Sequence, residues 1–149
     1  MKGFSLVEVW VVLLLIALLC SFGIPFGSSW YQTQIGLVMV QDIKQAIHQA
    51  TADALRFNEP VTLMPILGDN WSSGLVLRLE RTGDIQYQWQ WKDTGYQVHW
   101  HGFQSNDYLR FAPDLNQSVL NGYFFIENAS HQGIKLVVNR LGRVRPENR

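Results

Sequence analysis

Met1-Lys2-Gly3-Phe4-Ser5-Leu6-Val7-Glu8 opens the chain and runs directly into Val9-Trp10-Val11-Val12-Leu13-Leu14-Leu15-Ile16-Ala17-Leu18-Leu19. Phe4 to Phe22 contains no Gly or Pro and a single charge, Glu8. As a helix this stretch spans about 29 Å, close to the hydrocarbon thickness of a bilayer. A carboxylate inside it calls for a reason, because an ionisable group in lipid costs roughly 2.5–3.5 kcal/mol or more. A secretory signal would need a stronger basic start than Lys2 and a small-residue cleavage site after the apolar run. A plain membrane anchor accounts for the length and leaves Glu8 unexplained. Gly23-Ile24-Pro25 then interrupts the run, and Pro25 predicts a kink or local melting.

The rest of the chain has room for one small domain. The protein has 149 residues, with twelve basic and twelve acidic side chains. The balance removes any global attraction to nucleic acid or acidic surfaces. Its distribution is uneven, because Arg140, Arg143, Arg145 and Arg149 fall in the last ten positions against one acid, Glu147. Cys20 is the only cysteine, so no intramolecular disulfide can form. The domain must rely on its core, for which six Trp, five Tyr and eight Phe supply material.

From Trp30 to Phe57 apolar residues recur at spacings of three and four: Ile35, Met39, Ile43, Ala46, Ile47, Ala50, Ala54 and Phe57. The pattern predicts an amphipathic helix with Gln34, Gln41, Lys44, Gln45, Gln49, Asp53 and Arg56 on its polar side. Asn58-Glu59-Pro60 stops it. The period then changes to two. Val61–Met64 reads as a short strand, followed by a loop through Pro65 and Gly68, and Leu75–Glu80 as the next strand. Ile85–Trp91 and Tyr96–His101 complete a predicted antiparallel meander, with aromatic residues facing the core and Gln/His facing out. Tyr108–Ala112 is a further strand, and Tyr123–Glu127 with Ile134–Asn139 a closing hairpin. The predicted class is α+β: a long N-terminal helix, membrane stem plus amphipathic half, packed on antiparallel β-sheets.

The opening Gly-Phe-Ser-Leu-Val-Glu resembles the amino terminus of type IV pilins and type II secretion pseudopilins. Trp71-Ser72-Ser73-Gly74, Leu109-Arg110-Phe111-Ala112-Pro113 and Asn121-Gly122-Tyr123-Phe124-Phe125-Ile126 resemble the pseudopilin H and FimT-like minor pilins. Their globular part packs two antiparallel sheets on the helix. These proteins commonly have a glycine shortly after that proline, where this chain has Asp114 and Leu115. The resemblance implies a leader, residues 1–3, cut after Gly3 by a prepilin peptidase. Phe4 would become the methylated amino terminus. Residues 4–29 would form the transmembrane and assembly helix, and residues 30–149 a periplasmic or extracellular pilin-like domain. Glu8 becomes the fifth mature residue, an assembly group for the amine of a neighbouring subunit's Phe4. Partners would be other pilin or pseudopilin subunits, and the location the bacterial inner membrane until assembly.

Two constellations remain. His99 and His101 share one face of a predicted strand at a spacing that can chelate a metal, yet a third ligand is not evident nearby. A solvated strand face is the preferred reading, and no cofactor is expected. No phosphate loop, nucleophile elbow or carboxylate pair points to an enzyme. The carboxyl end says more. In an extended segment Arg143 and Arg145 project the same way, about 6.5–7 Å apart, a spacing similar to successive phosphates of one strand. Gly142 frees the turn before them. Gly142-Arg143-Val144-Arg145 also matches the Gly-Arg-x-Arg motif of the FimT-like minor pilins that bind DNA in natural transformation. The resemblance thus implies non-specific DNA binding through Arg143 and Arg145, with Gly142, Arg140, Arg149 and Lys135 assisting. A solvated basic tail is the bland reading of the same residues. The alternative function is structural, as the minor pseudopilin H of a type II secretion system.

Overall fold

The computed structural model describes residues 5–92, 94–129 and 133–147, without the side chains of residues 22–33. It divides into two compact units between Ile35 and Gly36. Helix α1 (Leu6–Phe57) begins in the first and ends in the second. Of the kink or local melting expected at Pro25, the melting is not seen: the helical assignment continues through Gly23 and Pro25. A proline removes one donor, and the flanking turns keep their own hydrogen bonds. In the first unit Ser5 precedes the helix, and its carbonyl accepts from the amides of Glu8 (2.9 Å) and Val9 (3.3 Å). Among the described residues no helix is long and apolar enough to cross a membrane. The apolar turns from Leu6 to Leu19 are nevertheless exposed all round, from 46% at Leu18 to 75% at Leu6.

In the second unit the predicted stripe is found buried: Met39, Ile43, Ala46, Ile47, Ala50 and Ala54. Two positions depart from expectation. Phe57, the last helical residue, is 40% exposed. Asp53, expected on the polar side, is 3% exposed and accepts a 3.2 Å hydrogen bond from Gln49 Nε2. It lies three residues after Ala50, hence on the buried stripe.

Among the described residues, eight strands form two antiparallel four-stranded sheets. The first contains β1 (Val61–Leu67), β2 (Asn70–Leu79), β3 (Ile85–Gln90) and β5 (Leu109–Phe111), in the order β3-β2-β1-β5. The second contains β4 (Tyr96–Gly102), β6 (Gly122–Asn128), β7 (Gly133–Val138) and β8 (Val144–Glu147), in the order β4-β6-β7-β8. β1 runs beyond the expected Met64 and includes Pro65. Only Val61–Leu63 pair with the three-residue β5, so Pro65 stands where β1 has no second neighbour to miss its N–H. β2 also starts earlier than the sequence pattern indicates, at Asn70. Gly74 permits this at φ +124°, where a side chain would collide with the Trp89 carbonyl. Asp114 and Leu115 adapt the loop after Pro113. The Asp114 carboxylate accepts from the Asn116 amide (2.9 Å) and caps a single 3-10 turn, Leu115–Gln117.

The expected three-strand meander does not form. β3 pairs with β2, but β4 crosses to the other sheet and pairs with β6 from Tyr96↔Asn128 to Gly102↔Gly122. Trp91 supplies the reason at the departure point. It is buried, and its Nε1 donates to Asp42 Oδ2 on α1 at 2.9 Å, which leads the chain off the β2 ladder before a hairpin can close. The aromatic face is divided accordingly. Val98 and Trp100 are core, whereas Tyr87 remains 43% exposed and stacks on Trp89 with ring centroids 5.9 Å apart.

The sheets meet where the start of β2 faces β4. Ser72 Oγ accepts from the Val98 amide at 2.9 Å. Trp71, Trp100 and Phe124 cluster beside it, with Trp100–Phe124 centroids 4.6 Å and Trp71–Phe124 5.5 Å apart. Each such pair adds about 0.5–1.5 kcal/mol beyond the area it buries. Both indoles also find acceptors, Asn106 O for Trp71 and Ser105 O for Trp100. This junction holds the second sheet, and with it the carboxyl end, in place.

Candidate nucleic-acid interface

Val144–Glu147, near the carboxyl end, form a strand. The chain leaves β7 at Val138, turns through Asn139–Gly142 and returns as β8, paired with β7 at Val138↔Val144, Val137↔Arg145, Leu136↔Pro146 and Lys135↔Glu147. The turn is held by one side chain. Asn139 Oδ1 accepts from the amides of Leu141 and Arg143, both at 2.9 Å, and the Asn139 amide donates to Arg143 O at 3.1 Å. Gly142 adopts φ +71° and is buried, and a Cβ there would meet Thr51 and Ile47 of α1 only at ordinary contact distance. The left-handed turn is therefore what calls for glycine at this position.

This turn aims the two arginines. Arg143 and Arg145 are exposed and line one open groove of about 470 Å³ with Val137, Asn139, Pro146 and Glu147. A guanidinium pair along an edge strand, over an open groove, can take two phosphate groups bidentately. The remaining predicted residues are placed differently. Arg140 donates from Nη2 to Asn116 Oδ1 at 3.0 Å and does not line the groove. Lys135 Nζ bonds Glu147 Oε2 at 2.7 Å and lies 4.8 Å over the Tyr123 ring. Its charge is therefore partly spent within the protein. Arg149, Gly3 and Phe4 lie outside the described residues. Glu8 is described, in the exposed first turn of α1.

His99 and His101 stand exposed on the outer face of β4, and His99 Nε2 is 3.9 Å from Glu127 Oε1. Sequence reasoning missed Glu147 and Asn139 as parts of the site. The spacing of Asn139 to Gly142 was the available turn signal. Glu147 opposite Lys135 depends on strand register, which the sequence does not show.

No family model and no curated protein matches the chain. Among solved structures, the type IV minor pilin FimU of Pseudomonas aeruginosa is similar in two crystal forms. One aligns with a TM-score of 0.61 at 13% identity, covering 79% of this chain and 92% of FimU. The other gives 0.53 at 16% identity, covering 72% and 88%. The fold is that of a type IV minor pilin. Within this fold the groove lies at the edge strand β8 of the second sheet.

Glu147 is the one acid among the groove-lining residues. Its bond to Lys135 is solvent-exposed and contributes about 0–1 kcal/mol to stability. If the groove receives phosphates, Glu147→Gln both removes a repulsion and frees Lys135. The expected result is DNA affinity raised about two- to fivefold at low salt, with a salt slope steeper by up to about one unit. Titration of a labelled duplex at several salt concentrations reads both.

Proposed function

We propose that the chain is a minor subunit of a type IV pilus that contributes non-specific DNA binding to uptake in natural transformation. The observation that carries this reading is the placement of Arg143 and Arg145 over one open groove on an exposed edge strand. The protein acts by binding and assembly, without catalysis. Two arginines, helped by Lys135, make only a few phosphate contacts, so affinity per subunit is modest and salt-sensitive. Several subunits along one filament would raise it through effective concentration.

The stem supports the assembly half of the proposal. An apolar helix exposed on every side must be covered by lipid or by other apolar helices. In this reading residues 4–29 anchor the precursor in the inner membrane, with the globular domain in the periplasm. The prepilin peptidase removes residues 1–3, and the stem then moves into the filament core beside other pilin subunits. The same stem would serve a pseudopilin H of a type II secretion system, whose task is structural and needs no DNA affinity. Deleting the gene and scoring transformation against exoprotein secretion separates the two. Lost transformation with intact secretion is the expected outcome, and the reverse overturns the proposal.

A further inference from the structure

Strand register sets side chains in rows across the outer face of the second sheet. His101 is opposite Tyr123, Tyr123 opposite Val137, and Val137 opposite Arg145. One row thus crosses all four strands, from the β8 edge to the β4 edge. The His101 and Tyr123 rings are stacked, with centroids 4.9 Å apart and planes at 28°. His101 is exposed, while Tyr123 and Val137 are half-buried. Val137 also lines the groove that holds Arg143 and Arg145. The core aromatics of this sheet, Trp100 and Phe124, alternate with these residues and face inward. The His101–Tyr123 ladder is therefore additional to the core.

We propose that this row is a track for single-stranded DNA. Arg143 and Arg145 hold phosphates at the β8 edge, Val137 is the floor, and an unpaired base stacks on the His101–Tyr123 ladder. The proposal rests on the DNA-binding reading above and adds to it a preference for unpaired strands. Three strand spacings separate Arg145 from His101, about 14 Å, room for two or three nucleotides. Bases in a duplex have their faces covered by neighbours, so a protein ring reaches them only in a single strand. β4 is an outer strand of the sheet, and among the described residues no further strand stands beyond His101. The charges fit as well. This row contains a cation and no acid. The acids of the same face stand in other rows: Glu147 in the next one, against Lys135 at 2.7 Å, and Glu127 in the one after, 3.9 Å from His99. Lys135, over the Tyr123 ring, is placed to meet the phosphate that follows the stacked base.

The test compares two fluorescent probes, a short oligothymidylate and a mixed-sequence duplex of equal length, binding to the full chain in non-ionic detergent. Tyr123→Val is expected to weaken oligothymidylate binding about tenfold and leave duplex binding within about twofold. Tyr123→Phe keeps the ring and retains both affinities. His101→Ala, on the outer strand, lowers oligothymidylate binding in the same sense and guards against a misfolded Tyr123 variant. If both probes bind the wild-type chain and oligothymidylate affinity is unchanged in Tyr123→Val and His101→Ala, the track is refuted while the DNA reading stands. Parallel loss of both probes in these variants refutes the track equally. Wild-type chain that binds neither probe sinks the DNA reading itself, and the track with it.

Discussion

With Arg143 and Arg145 both replaced by glutamine, the full chain is expected to lose its gel shift of duplex DNA entirely at moderate salt. Each arginine–phosphate contact is a charge-assisted hydrogen bond worth about 1.5–3 kcal/mol, so two contacts correspond to roughly 10²–10⁴ in affinity. From a modest starting affinity, that loss moves binding out of the measurable range. Any residual binding should show a salt slope reduced by about 1.8, from two fewer phosphates neutralised. Folding should be unaffected. Both side chains are exposed, and Arg145 contributes to the sheet through its backbone pairing with Val137. Circular dichroism is therefore expected to be unchanged. Arg140→Gln is the internal control: Arg140 is tied to Asn116 outside the groove, and its loss should cost no more than a few-fold. Unaltered binding in the double variant would remove the site assignment.

The second large effect concerns Glu8. A Glu8→Ala chain is expected to reach the membrane as well as wild type, or better, because the substitution removes the only charge of the apolar run. It should then fail in assembly. In the proposed filament the carboxylate pairs with the amino terminus of a neighbouring subunit. Removing one partner of a buried ion pair leaves an uncompensated charge, at a cost of about 3–5 kcal/mol. Incorporation into sheared filaments, measured by immunoblot against the membrane fraction, should fall by roughly 10²–10⁴. Normal incorporation would mean that Glu8 has no such partner. In the isolated chain Glu8 stands in the first turn of α1, where the helix dipole favours a negative charge. That placement alone does not require a glutamate of this depth in an apolar run.

Much of the local structure is legible in the sequence. Met39 to Ala54 is the clearest case, since its three–four spacing and its burial agree at six positions. The strand positions were readable too, because alternation and turn residues are properties of neighbouring residues. The errors fall where local signals conflict with distant ones. The strand expected from Leu75 begins at Asn70, so the whole of Trp71-Ser72-Ser73-Gly74 belongs to β2. Asp53 is a polar residue, yet the helix surface it occupies is enclosed by the domain. Tyr87 and Trp89 look like core residues and belong to an edge strand.

The candidate site divides the same way. Gly142-Arg143-Val144-Arg145 could be singled out as a phosphate-binding spacing from four consecutive letters. Whether it belonged to a solvated tail or a strand depended on a partner, β7, that no local pattern reveals. Pro146 even argues against a strand, and is accommodated because β8 is an outer one.

The sequence by itself determined the long apolar helix with its single acid, the change from helical to strand period at Pro60, and the arginine pair at the end. Each is a matter of consecutive residues and their intrinsic geometry. Tertiary structure alone decided that β4 leaves its neighbour β3 for β6, and that β8 carries Arg145, with Arg143 just before it, at the edge of the sheet. It also set Lys135 against Glu147 and the His101–Tyr123 row beside Arg145. Those outcomes depend on which strands pair and in what register, and a shift of one residue would turn every one of these side chains to the opposite face.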